Sequence, residues 1–135
     1  MKLEERRMPK REEVEHLLKR SREFLETARM QMERGFYGLA VFSLEQALQL
    51  FLRAKLLESG VDYPRTHSLR RLLEMLAEAS PDVSQEARGA LRAFILELGM
   101  LEDAYITSRY ILREYRREDA ERLMTVVEEV MRAVS

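Results

Sequence analysis

The chain contains no cysteine, so neither a disulfide, nor a thiolate ligand, nor a thiol nucleophile can figure in its chemistry. Nothing in it needs an oxidising compartment. Tryptophan and asparagine are missing as well, and cations other than Lys2, Lys10, Lys19 and Lys55 are all arginine. Few thermolabile residues with many charges suggest a thermophilic source, which a melting transition at ordinary mesophilic temperature would contradict. No run approaches the ~20 apolar residues that span a bilayer. The start, MKLEERRMPKREEVEHLLKR, is too charged for a signal peptide. A cytoplasmic protein without membrane contact is the expectation. The formal net charge is only -1, so the whole-molecule field of a nucleic-acid binder is lacking, although local basic patches are not excluded. There is no G-x-S-x-G and no phosphate-cradling glycine loop, and no cofactor is expected.

What is present is helical periodicity. At 135 residues the chain reads as one domain able to bury about two-thirds of the surface its unfolded form exposes, with residues 1–9 as a flexible N-terminal extension. The organising stretch is GFYGLAVFSLEQALQLFLRAKLLESG, between Gly35 and Gly60. It is apolar or small almost all the way round, and a helix of that kind is buried on several sides. Its polar patch, Ser43, Glu45, Gln46 and Gln49, lines a groove, meets its copy across a dimer axis, or faces water.

The remaining stripes supply the neighbours. Val14, Leu17, Leu18, Ser21, Leu25, Ala28 and Met32 mark an amphipathic helix from about Lys10 to Glu33, with Pro9 at its entrance and Gly35 at its end. After Gly60, Pro64 holds Tyr63 extended and Thr66 or Ser68 can cap a short helix over Leu69 to Ala79. Ser80, Pro81 and Asp82 break the chain before a fourth helix from about Ser84 to Thr107. Leu91, Phe94, Ile95, Leu98, Leu101 and Tyr105 form its core face. Gly89 and Gly99 within it cost about 1 kcal/mol each relative to alanine, which suggests close helix approach there. A fifth helix over about Glu118 to Val134 turns Leu123, Val126, Val127, Val130 and Met131 inward. The fold class is therefore all-α, an up-and-down helical bundle of four long helices plus one short helix.

Three clusters carry possible chemistry. Glu13 and His16 have the E-x-x-H spacing of carboxylate-bridged metal bundles, but such a site needs two of these motifs and only one is present, so no metal is assigned. Arg65, Arg70 and Arg71 gather at the start of the third helix, where cations oppose the macrodipole. They either answer carboxylates on a neighbour or hold an anion, with His67 beside them. ITSRYILREYRRED mixes Arg109, Arg113, Arg116 and Arg117 with Tyr105, Tyr110 and Tyr115, so that Arg109 could reach a phosphate or a carboxylate, or its cations could simply satisfy a helix C-terminus.

Taken in order, Glu33-Arg34-Gly35-Phe36-Tyr37, Phe42 with Glu45-Gln46-Ala47, Ala54, Leu56 and Leu57 before Gly60, Pro64-Arg65-Thr66-His67-Ser68-Leu69, and Tyr105 with Ser108-Arg109-Tyr110 resemble the HEPN domain family, from about Arg20 to Ala133. The resemblance implies a small bundle that forms a homodimer. It also implies pairing with a minimal nucleotidyltransferase as two halves of a toxin-antitoxin system, and a nucleotide or RNA phosphate held by Arg65, His67, Arg109, Arg53 and Tyr110. Many members are metal-independent ribonucleases with an R-x4-6-H motif. Here Glu114, Tyr115 and Arg116 stand where a histidine should follow Arg109, so no catalytic residue is assigned. Gln49 and Arg53 also depart from the glutamate and lysine frequent in the family. The alternatives are a ribonuclease toxin with His67 as an unorthodox base, or a purely structural dimer.

Overall fold

The computed structural model describes residues 2–110 and 114–135, with side chains described for 10–106 and 114–135. Six α-helices are found among them: α1 (Lys2–Glu33), α2 (Tyr37–Glu58), α3 (Leu69–Ala79), α4 (Ser84–Ala93), α5 (Ile95–Tyr110) and α6 (Arg117–Ala133). A single 3-10 turn, Pro81–Val83, leads into α4. The all-α bundle is as expected.

The central position of α2 follows from its sequence. Leu44, Leu48, Leu52 and Leu56 recur every fourth residue and are all fully buried, and burying each side chain contributes about 2 kcal/mol. On its flanks lie α1, α3, α5 and α6. Two glycines close the hairpins around it. Gly35 has φ 78° and Gly60 φ 82°, the left-handed region that glycine enters without a Cβ penalty. Phe36 N then donates to Gln31 O and Val61 N to Leu56 O, satisfying the last carbonyls of α1 and α2. In α1, Leu17, Ser21 and Ala28 are buried, and Ser21 Oγ donates to Ala47 O at 2.6 Å.

Three features differ from the sequence reading. Helix α1 runs from Lys2, so Pro9 lies within it rather than at its entrance. The expected fourth helix is two helices, because Phe94 leaves the helical region (φ -121°, ψ 27°) while Phe94 N still donates to Ala90 O and Leu98 N to Phe94 O. Leu98 and Leu101 are buried as expected, with Ala104, whereas Ile95, also expected inside, is exposed. Finally, a Cβ at Gly89 would meet nothing within 4 Å, and one at Gly99 would meet the Arg70 guanidinium at 3.5 Å. Neither glycine marks close helix approach; Gly99 underlies a side chain instead.

Candidate functional site

Glu45, Gln49 and Arg53 follow one another at four-residue intervals, so they form one polar row on α2. Such a row in a central helix requires partners. The segment Val61 to Ser68 supplies them by lying along it. Arg53 Nη2 donates to Thr66 O at 3.2 Å, its guanidinium stands 5.1 Å from the Tyr63 ring centroid, and Gln49 Nε2 lies 3.3 Å from His67 Nδ1. Of the polar patch, Ser43, Glu45 and Gln49 are buried inside one chain and so face neither water nor a second copy, while Gln46 is only partly buried.

Glu45 is the deepest of them, with no exposed surface. Its two oxygens accept from Gln46 Nε2 and Gln49 Nε2, both at 2.7 Å. Removal from water nevertheless dominates, and the carboxyl is raised from 4.5 to about 7, against the pull of the two amides and of Arg53 and with a smaller push from Glu102.

The loop itself is shaped locally. Thr66 N donates to Pro64 O at 2.9 Å, a three-residue turn that puts Arg65 at its apex. Thr66 Oγ1 then accepts from Ser68 N, and Ser68 Oγ caps α3 by accepting from Arg71 N. Across from it, α5 offers Glu102 and Tyr105. Glu102 accepts from Ser68 Oγ, Arg70 N, Arg70 Nε and Arg70 Nη2. Tyr105 stacks on the His67 ring with centroids 4.0 Å apart, and on Phe42 at 6.2 Å.

The arginine cluster therefore divides. Arg70 answers a carboxylate on α5, and Arg71 pairs with Glu74 one turn along α3. Arg65 is exposed and makes no ion pair or hydrogen bond among the described residues. Arg53 keeps a buried Nε without a hydrogen-bond partner among them. Arg109 follows Tyr105 by one turn of α5, but its side chain and that of Tyr110 lie outside the described residues. The structure thus brings Arg53, Arg65 and His67 to one loop, with the Arg109 position one turn along the adjoining helix. Further along the chain, Arg117 Nε donates to Tyr37 OH. On α1, Glu13 accepts from Tyr63 OH at 2.9 Å, while His16 is exposed. Among the described residues no helix is long and apolar enough to cross a membrane.

Gln49, Glu45 and Glu102 were not read as site residues from the sequence. The four-residue row on α2 was the available signal for the first two. For Glu102 it was the unexplained cations at the start of α3, which called for a carboxylate nearby.

Fold and site together define a small helical bundle whose central helix carries a buried polar row beneath a basic loop. The HEPN domain model matches residues 14–135, and the chain belongs to that family. A solved structure, that of TT1696 from Thermus thermophilus, is similar in fold, with a TM-score of 0.67 and 23% identity over 90% of this chain and 94% of that one. Comparison with curated proteins gives no match.

Proposed function

We propose that this HEPN domain is a binding module, a homodimer that pairs with a minimal nucleotidyltransferase in a toxin-antitoxin arrangement and holds a nucleotide or RNA phosphate at the loop before α3. The observation that carries it is Arg65, a cation without a partner among the described residues, held at the apex of a turn. A guanidinium so placed presents its fork of N–H donors to an outside oxygen, and phosphate matches that fork. Arg53 beneath the loop adds positive charge, and His67 and the positions of Arg109 and Tyr110 adjoin it. Support for a second copy comes from α2 and α5, where exposed Leu39 lies one turn before Phe42 and exposed Ile106 follows Tyr105.

Titration of the protein with pyrophosphate and ATP tests the binding. Wild type is expected to bind, and Arg65→Ala to bind at least about tenfold more weakly, a loss of about 1.4 kcal/mol, with an unchanged melting temperature. Equal binding by the two proteins, or none by wild type, refutes it. Chromatography with a co-expressed nucleotidyltransferase tests the partner.

The ribonuclease alternative is kept by one contact, the stacking of His67 on Tyr105 one turn before Arg109. A general base must come within about 3 Å of the 2′-hydroxyl. Metal-free RNA cleavage abolished by both Arg109→Ala and His67→Ala favours that alternative; intact RNA favours the binding module.

A further inference from the structure

Gln49 occupies an unusual position for a neutral side chain, between a buried carboxylate and an imidazole. Its amide nitrogen lies 2.7 Å from Glu45 Oε2 and 3.3 Å from His67 Nδ1. An amide NH2 has two hydrogens and no lone pair to give, so it can donate to both neighbours but accept from neither. Once Glu45 is ionised, above about pH 7, the opposite orientation would set the amide oxygen against its carboxylate, two acceptors face to face in a buried site. Glu45 thus decides which end of Gln49 faces His67. Gln46, which takes the other carboxylate oxygen, is only partly buried and absorbs any adjustment there.

We infer that Gln49, held by Glu45, is a positioning residue that makes His67 Nδ1 a hydrogen-bond acceptor and so places the neutral ring's proton on Nε2. Which nitrogen of a histidine carries the proton is set by the hydrogen bond the other one makes. The stack of His67 on Tyr105 fixes the plane of the ring, so the tautomer also fixes where an N–H donor points. A neutral His67 of this kind donates through Nε2, and a phosphate oxygen is an acceptor that suits it. It cannot take a proton at that nitrogen, which disfavours it as a general base acting through Nε2. This deepens the binding-module reading and rests on it only for the phosphate.

The tautomer is read from the imidazole 15N resonances of the whole protein at about pH 8, where free histidine is neutral. The chain has two histidines, and exposed His16 on α1 is the internal reference for a solvated ring. Free imidazole already favours Nε2–H in water, so the comparison with His16 is decisive. His67 is expected to show a single Nε2–H form, with an unprotonated Nδ1 displaced from that of His16. Gln49→Ala should move the His67 resonances toward the His16 mixture. Gln49→Leu, which offers neither donor nor acceptor, should do the same. The unchanged His16 signal and helix content report that each variant is folded. A proton on Nδ1 in the wild type overturns the inference, as do His67 resonances that match those of His16 or that Gln49→Ala leaves in place. None of these readings involves phosphate, so a failure of pyrophosphate to bind refutes the binding module and leaves the tautomer standing.

Discussion

Replacement of Glu45 by glutamine should change how stability depends on pH, because Glu45 is the one fully buried acid among the described residues. Its carboxyl is raised from 4.5 to about 7. Below pH 4.5 both folded and unfolded chains hold the proton, and the group exerts no pH-dependent effect. As pH rises from there toward 7 the unfolded chain releases the proton while the folded one retains it, so stability falls by about 1.4 kcal/mol per pH unit. Above 7 both are ionised and the loss is complete. The 2.5-unit gap between the two printed values corresponds to about 3 kcal/mol. Glutamine at this position has no charge to desolvate at any pH, and its constant hydrogen-bond mismatch with Gln46 and Gln49 does not vary with pH. Urea unfolding of wild type and Glu45→Gln, followed by helix circular dichroism at matched protein concentration, should therefore show the difference moving about 3 kcal/mol in favour of the variant between about pH 4 and about pH 8. All other carboxyls cancel in that difference. A flat difference would refute the dominance of desolvation. One of opposite sign would mean that the two amides and Arg53 hold the carboxyl below its ordinary value.

Two further outcomes follow from the packing. Gly89→Ala should stabilise the chain by about 1 kcal/mol, since Gly89 is helical, has no positive φ and would place its Cβ in open space; a lower melting temperature for the variant would show that the α4 surface is occupied. Glu102→Ala should cost about 1–3 kcal/mol because it strips acceptors from Ser68 Oγ, Arg70 N and the Arg70 guanidinium together. By contrast Glu97→Ala, which frees the half-exposed Arg122, should cost less than about 1 kcal/mol and less still at high salt, and equal losses from the two would be evidence against a capping role for Glu102.

How much of this was legible depends on the distance in sequence over which each interaction acts. The helix ends at Gly35 and Gly60 and the Ser68 cap are set by residues within a turn, and local chemistry specified them. The stripes of α1, α2, α3 and α6 were equally readable, since periodicity needs no partner. The bend at Phe94 was not, because the apolar pattern from Leu91 to Tyr105 fits an unbroken helix. The Arg122 guanidinium stands 5.8 Å from the Phe94 ring centroid, and Glu97 pairs with the same arginine. Both contacts come from α6, which a single stripe does not reveal.

The arginines beside α3 show what the fold adds to a sequence. Arg65, Arg70 and Arg71 are alike as residue types and nearly adjacent, and two explanations were open to all of them. Placement of Glu102 on α5 opposite Ser68 resolves Arg70 as a structural cation, and one turn of α3 brings Arg71 to its own Glu74. Arg65 differs because it is exposed at the apex of the Pro64–Thr66 turn and has no ion pair or hydrogen bond among the described residues. The buried row beneath has the same logic: Glu45 would be an expensive residue for a central helix if its only task were packing, and the amide that satisfies it also reaches the loop that holds Arg65. A carboxylate buried solely for stability could be exchanged for an apolar residue together with its amides at little cost. One that orients His67 could not, since the apolar replacement would leave Nδ1 without its donor.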